Sequence, residues 1–482
     1  MMRRTSFSLL TLVAVLAATV AAQPEEDVLL GIDARADHYA DIAQQIWDYA
    51  EVGYLESKSS ELLQSTLRDA GFSVKAGVAG MPTAFVGSYG SGPPVIGIMA
   101  EFDALPGISQ DRSPSRVILE SKSAGHACGH HLFGTGSIAA AIAVKEWLGR
   151  TGTTGTIRLY GTPAEEGGGG KVYMVRDGVL DDVDAMLHWH PSDRNSASPG
   201  GSLANKSAKF RFYGQSAHAA GAPERGRSAL DGVEAMNAMV NMLREHVPQE
   251  TRIHYVITAG GAAPNVVPDF AEVYYYVRNP EPSNVMSIFD RVVKAAEGAA
   301  LGTETQMDFE VIHGIYALLP NQTLARTMHE NLTRVGGVDY EQEERRFAET
   351  LRMSFPATVA PLSSAAEIQD FSVTKSGGSS STDVGDVSWV IPTAGLRVAT
   401  WVPGTSAHSW QAIAAGGISI GNKGMINATK TLALTAIDLF EDPAIVANAK
   451  QERADRVGTD FVYQSLVGDR APPLDYRQPA QQ

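Results

Sequence analysis

Cysteine is almost absent from this chain, with one in 482 residues, at position 128. No internal disulfide can form, so stability must come from the core. At this length, and with 44% hydrophobic residues, a large core spread over two or three domains is available. Basic residues are also in deficit. Thirty-nine Lys and Arg against 54 Asp and Glu leave a net charge of −15, which argues against nucleic acid and anionic membrane surfaces as partners. Internal repeats are lacking, and so is an apolar run long enough to span a bilayer comfortably, the best being Phe7 to Val20. That run follows Arg3 and Arg4 and ends in Ala21-Ala22-Gln23-Pro24, the basic, apolar and small-residue order of a signal peptide. Residues 1–22 therefore predict an exported protein, periplasmic or secreted, with no membrane attachment after cleavage near Ala22. No cysteine lies near that cleavage point, which argues against a lipoprotein. A lone Cys kept in an oxidising compartment suits a ligand better than a staple.

The residues present gather their chemistry around that cysteine. In Gly125-His126-Ala127-Cys128-Gly129-His130-His131, Cys128 and His130 sit two apart in a glycine-rich turn, where both side chains can face one point. A thiolate and an imidazole together are good ligands for zinc, manganese or cobalt. Taken alone, a single Cys is as easily a small buried hydrophobe. Neighbouring stretches weigh against that. The apolar run Val95-Ile96-Gly97-Ile98-Met99-Ala100 reads as a buried parallel strand ending in Glu101-Phe102-Asp103. A second strand, Gly155 to Gly161, ends in Glu165-Glu166 and four glycines. Adjacent glutamates point apart, so one can ligate a metal while its neighbour reaches the attacking water. A third strand, Val183 to Pro191, carries His188 and His190 at its end. Strand ends are where open α/β sheets place their sites. Three of them presenting acids and histidines around one Cys-Gly-His turn predict a site there.

The rest of the chain predicts an α/β protein interrupted by a compact insert. Residues 23–205 form the first part of the catalytic domain and 319–448 the second, with His408 opening a helical stretch that runs to Phe440. Between them, 206–318 reads β-α-β-β-α-β, a ferredoxin-like α+β unit. Within it, His218 follows a strand in a turn, Asn265 lies in Pro264-Asn265-Val266-Val267-Pro268, and Arg278 ends a strand. On their own, His218 and Arg278 read more simply as solvated surface groups. An irregular segment, 350–381, is expected to cover the site, and the polar tail 449–482 is expected to form an arm on the surface.

Glu101-Phe102-Asp103-Ala104-Leu105-Pro106, His126-Ala127-Cys128-Gly129-His130, Pro163-Ala164-Glu165-Glu166, Trp189-His190-Pro191 and His408-Ser409-Trp410 occur in the order seen in peptidase family M20. Together they resemble its amidohydrolase branch, which includes auxin-conjugate and hippurate hydrolases. The resemblance implies a zinc-peptidase-like catalytic α/β domain with two divalent metals, zinc or manganese, and an inserted lid that dimerises. It implies Cys128 as the bridging ligand, with His130, Glu166, His190 and His408 completing the shells. Glu165 would be the general base for water activated at the metals, and His218 would bond the oxyanion, supplied from this or a neighbouring subunit. Asn265 and Arg278 would hold the substrate's backbone or carboxylate. Glu101, Asp103, His126 and Asp383 are expected to orient ligands. His131 stands where many relatives carry Asp or Asn, and Glu101 replaces the commoner Asp. Both His131 and His188 stay outside the implied ligand set.

The expected activity is hydrolysis of an N-acyl amino acid or dipeptide with a free carboxylate, by a homodimer or with a second kind of subunit. A dipeptidase or carboxypeptidase on the same fold is the near alternative. A cysteine hydrolase using Cys128 as nucleophile would leave Glu165, Glu166, His190 and His408 idle. A non-catalytic binding protein would have no use for the base at Glu165.

Overall fold

The computed structural model describes residues 25–356, 358–373 and 380–478. The signal-peptide reading of residues 1–22 lies outside that range, as do residues 374–379 of the segment expected over the site. Among the described residues, no helix is long and apolar enough to cross a membrane.

Two separate sheets organise the chain. The larger has six strands in the order Ser73–Ala76, Phe85–Ser91, Gly155–Gly161, Val95–Ala100, Ala185–Ser192, Thr393–Ala399. The last four run parallel, and the first two are antiparallel additions at one edge. Strand alternation sends Ile96, Ile98, Ile157, Leu159 and Leu187 to one face, under helices Ala36–Tyr49, His130–Thr151, Gln322–Val335 and Ser419–Glu441. The other face receives Met99, Tyr160 and Met186, covered by the short helices Gly170–Arg176 and Val384–Val390. Covering on both sides is what uninterrupted apolar strands require. Thr393–Ala399 comes from beyond the insert yet pairs with Ala185–Ser192, so the two halves of the catalytic domain share one sheet.

The insert has its own four-stranded antiparallel sheet, in the order Gln306–Ile315, Ala204–Tyr213, Phe270–Asn279, Arg252–Ala259. Helices Ala229–Leu243 and Pro282–Thr303 cover one face around Phe210, Phe212, Tyr275 and Phe289. This is the expected β-α-β-β-α-β order. The edge strand Arg252–Ala259 leaves Tyr255, Val256 and Ile257 exposed.

Two local expectations are corrected. The glycine-rich turn expected to hold both Cys128 and His130 stops at Gly129, where helix His130–Thr151 begins, so His130 and His131 lie in its first turn. Glycine within this helix admits close packing: a Cβ at Gly134 would stand 2.7 Å from the Glu101 carbonyl oxygen. The polar tail is not a free arm. Helix Pro443–Val457 continues well past Lys450, and the irregular chain after it buries Leu466 and Val467. Tyr463 donates to Asp386 Oδ1 at 2.7 Å, and Arg470 bonds Glu310 Oε1 of the insert at 2.9 Å. Apolar residues spaced thinly through a proline-containing polar stretch anchor it. The segment before position 374 packs beside the His408 loop, with Val359 and Phe355 against Gly404 and Ser354 bonded to Gln411 at 3.1 Å.

Candidate active site

Cys128 and His130 are turned toward the sheet edge by Gly129, whose φ of +77° belongs to the left-handed region. A Cβ on Gly129 would also stand 2.7 Å from Pro191. The turn brings Cys128 Sγ to 3.4 Å from His190 Nε2. His408 arrives from the other half of the domain. Its backbone N–H donates to the Ala127 carbonyl at 2.9 Å, and its Nε2 lies 3.1 Å from Glu166 Oε1.

The carboxylates are layered around His130. Asp103 accepts from His130 Nδ1 through one oxygen and from the Glu166 backbone N–H through the other, both at 2.9 Å. One side chain thus fixes the imidazole and the glutamate turn together. Nε2 of His130 then faces Glu101 Oε2 at 3.2 Å. The other Glu101 oxygen pairs with Lys171 at 2.7 Å, and Lys171 pairs with Asp383 Oδ1 at 2.8 Å, all buried. Three sets of ligand atoms each lie within 4.8 Å of one another: Cys128, His130 and His190; Cys128, Glu166 and His408; Glu101, His130 and Glu165. Glu101 Oε2, His130 Nε2 and Glu166 Oε1 are buried without a hydrogen-bond partner. Buried polar atoms are nearly always satisfied, and these three have only an ion-pair neighbour each, His130 with Glu101 and Glu166 with His408, inside those ligand sets, which fits bound cations.

The electrostatics agree. Burial disfavours a charged His130, yet Cys128, Asp103 and Glu101 hold its proton affinity well above the ordinary histidine range. His408 is pushed up to about 10 by its hydrogen bonds to Cys128 and Glu166. Glu165 is raised well above the carboxylate range by burial first, then by the charges of Glu101, Glu166 and Asp383. His190 goes the other way, held well down by burial and by Arg397. Negative charge is concentrated here strongly enough to draw in protons, and a divalent cation would relieve it.

Other residues singled out in the sequence fall elsewhere. His126 turns away from the cluster, its Nε2 3.0 Å from the Ile46 carbonyl oxygen and its ring against His131. His131 in turn meets the Gly416 carbonyl oxygen at 3.0 Å, and burial drives it down to about 3. His188 lies under Gly395 of the neighbouring strand. Asp383 orients no histidine; it accepts from Lys171, from both its side chain and its backbone N–H. His218 and Asn265 come together on two exposed segments of the insert joined by a bridge, where His218 Nδ1 accepts from Ala220 and Gly221. No contact among the described residues joins them to Cys128. Arg278 comes nearer: it lies within electrostatic reach of His313, whose ring sits against Gly169.

Sequence reading missed three groups. Lys171 follows four glycines and gives no sign of burial, apart from the apolar Val-Tyr-Met-Val after it. Tyr476 and Arg477 of the tail both donate to the Glu166 carbonyl, at 3.0 and 2.6 Å. Glu56, buried beneath the turn, accepts from the Ala164 N–H at 2.9 Å and from Thr83 at 3.0 Å. Burial, then the Asp103 charge, pushes Glu56 up to about 8 from an ordinary 4.5. The folded state therefore keeps a proton that the unfolded chain releases. This stabilisation is full below about pH 4.5 and is lost as pH rises toward about 8. Glu56→Gln, a neutral isostere, is expected to flatten the fall of melting temperature across that window, and parallel curves would refute the assignment.

Residues 203–304 match the peptidase dimerisation domain of the M20 family. The chain is 42% identical over 446 residues to the B subunit of p-aminobenzoyl-glutamate hydrolase from Escherichia coli, covering 87% of this chain and 93% of that one. The segments Ala100–Gly107, Ser381–Trp389 and His408–Trp410 resemble that protein. Xaa-Arg dipeptidase of Mus musculus is 28% identical over 437 residues, with 87% and 90% coverage. Among solved structures, a dinuclear metal-binding M20 peptidase of Bacillus subtilis has the same fold, with a TM-score of 0.57 at 17% identity over 85% of this chain and 99% of that one. With such identity across nearly the whole length of a hydrolase, and the family's dimerisation domain in the insert, the chain belongs to peptidase family M20 and is an amidohydrolase.

Proposed function

We propose that this amidohydrolase is metal-dependent and cleaves an N-acyl amino acid or dipeptide that carries a free carboxylate. The observation that carries the reading is the three ligand-atom sets linked through Cys128 and His130, which take in Glu101, Glu165, Glu166, His190 and His408 and include buried atoms of Glu101, His130 and Glu166 without a hydrogen bond. Cys128, His130, Glu166, His190 and His408 would hold two divalent ions, a donor set suited to zinc or manganese. When bound, such ions supply Lewis acidity toward the scissile carbonyl and make water a nucleophile near neutrality.

Glu165 takes the proton from the attacking water and returns it to the leaving amine. Its raised proton affinity suits both halves of that task. Asp103 keeps the His130 ring and the Glu166 turn in register while this happens. Arg278 and Asn265 hold the substrate's backbone or carboxylate. His218, bridged to the segment that carries Asn265, serves the oxyanion in the partner copy of a homodimer formed through the insert. The names of the relatives suggest aminobenzoyl-glutamate or a dipeptide as the substrate class. One relative is named as a single subunit of its hydrolase, which makes a second kind of subunit the alternative partner. Residues 1–22 would export the chain.

One contact favours a second reading. Cys128 Sγ at 3.4 Å from His190 Nε2 is also the pairing of a cysteine nucleophile with its base. Metal removal separates the two. Protein taken from the exported fraction and loaded with manganese or zinc is expected to bind about two ions per chain and to release amine from aminobenzoyl-glutamate or a dipeptide. Chelator should abolish release, and re-addition of metal should restore it. Activity that survives complete chelation would overturn the metal reading in favour of the thiol.

A further inference from the structure

Arg397 lies on the strand Thr393–Ala399, where the parallel pairing sets it opposite His190 and sets Gly395 opposite His188. Directly paired residues of neighbouring strands share a sheet face, so Arg397 leaves the sheet on the His190 side, near the carboxyl ends of the strands. Its guanidinium is within electrostatic reach of Cys128 and of both histidines, and it disfavours the protonated forms of His188 and His190. Its side chain reaches solvent although burial lowers its proton affinity. Its backbone bonds Ser196, but no hydrogen bond or ion pair joins the guanidinium to any described residue. The one carboxylate it feels, Asp193, is already engaged by Arg194 Nε and by the Gly404 N–H, both at 3.2 Å.

This is an unusual place for an unpaired cation. The surrounding side chains concentrate negative charge and ligand atoms, and a fixed positive charge beside them opposes the binding of metal ions. Nor does it brace the fold through any partner. A planar, permanently charged fork that faces an open site and lacks a protein partner is suited to one ligand chemistry, a carboxylate held in bidentate fashion.

We propose that Arg397 is a specificity-determining residue that holds a carboxylate of the substrate, forming an anion subsite within the catalytic domain in addition to Arg278 on the insert. The proposal rests on the amidase reading above. With two separate arginines, the preferred substrate carries two carboxylates, as an N-acyl glutamate or aspartate does.

The test uses metal-loaded wild type, Arg397→Ala and Arg397→Lys on N-benzoyl-glutamate and its two mono-amides. Arg397→Ala is expected to raise KM for the diacid roughly 10- to 100-fold, the range of one hydrogen bond to a charged group, with a smaller effect on kcat. That penalty should vanish on one of the two mono-amides, and lysine should recover part of it. An equal penalty on all three substrates, no penalty at all, or a variant that has lost its metal would each overturn the proposal. If wild type hydrolyses none of them, the amidase reading is what has failed. Calorimetric titration with glutarate then decides the subsite: binding by wild type that is lost in Arg397→Ala supports it, and equal binding or none overturns it.

Discussion

Replacing Glu165 with Gln is expected to lower kcat by roughly 100- to 10 000-fold, the usual contribution of a positioned general base, without releasing metal. The amide keeps the size of the side chain and one of its oxygens, but it cannot carry a proton from water to the leaving amine. Bound metal is the deciding measurement, because Glu165 falls within 4.8 Å of Glu101 and His130 as well. If it were a ligand, the substitution would empty part of the site. Loss of turnover with metal retained assigns the base, and loss of both makes Glu165 a ligand and sends the search for a base elsewhere. Unchanged turnover would sink the mechanism altogether. The pH profile adds a check. In the metal-free chain, burial and three neighbouring carboxylates raise the proton affinity of Glu165, and because bound cations relieve that charge the acid limb of the loaded enzyme's profile should lie at lower pH than those carboxylates alone would set.

The largest effect on stability is expected at Lys171. It is fully buried with Glu101 at 2.7 Å and Asp383 at 2.8 Å, and those two carboxylates hold its proton affinity well above the ordinary range despite burial. Lys171→Met fills the same volume and leaves both acids uncompensated, a change that costs about 3–5 kcal/mol when one member of a buried ion pair is removed. The urea midpoint should fall markedly, and Lys171→Met combined with Asp383→Asn should recover part of the loss. An unchanged midpoint would show that the acids find another counter-charge. The effect should reach the site as well, because Glu101 would no longer be held beside His130 Nε2.

Much of this arrangement was legible in the amino-acid order. Glu101, Glu165, Glu166 and His190 lie at or just beyond the ends of apolar strands, and once those strands are parallel their ends must share an edge, so local pattern carried long-range information. The insert was readable for the same reason, since its two sheet-covering helices alternate with strands of clear period. What escaped notice depended on partners distant in the chain. Lys171 meets Glu101 across 70 positions and Asp383 across 212, and a lysine's default is solvent. Glu56 carries no local signal of burial, and its partner Ala164 lies 108 positions away. His126 belongs to the motif in sequence, but once helix His130–Thr151 starts early, its ring is turned toward Ile46. Arg397 carries no local signal at all, and only the pairing of Thr393–Ala399 with Ala185–Ser192 sets it opposite His190.

Tyr476 and Arg477 reach back more than 300 positions to the Glu166 carbonyl, while Arg470 grips the insert on the way. Of the residues that shape the glutamate turn, they are the last to be synthesised. A nascent chain can therefore close its six-stranded sheet and gather every ligand from Glu101 to His408 while that carbonyl still faces water. Completion of the site is thus separated in time from completion of the fold. A protease nick between Arg470 and Tyr476 would take a finished enzyme back to that earlier stage, with Leu466 and Val467 still buried.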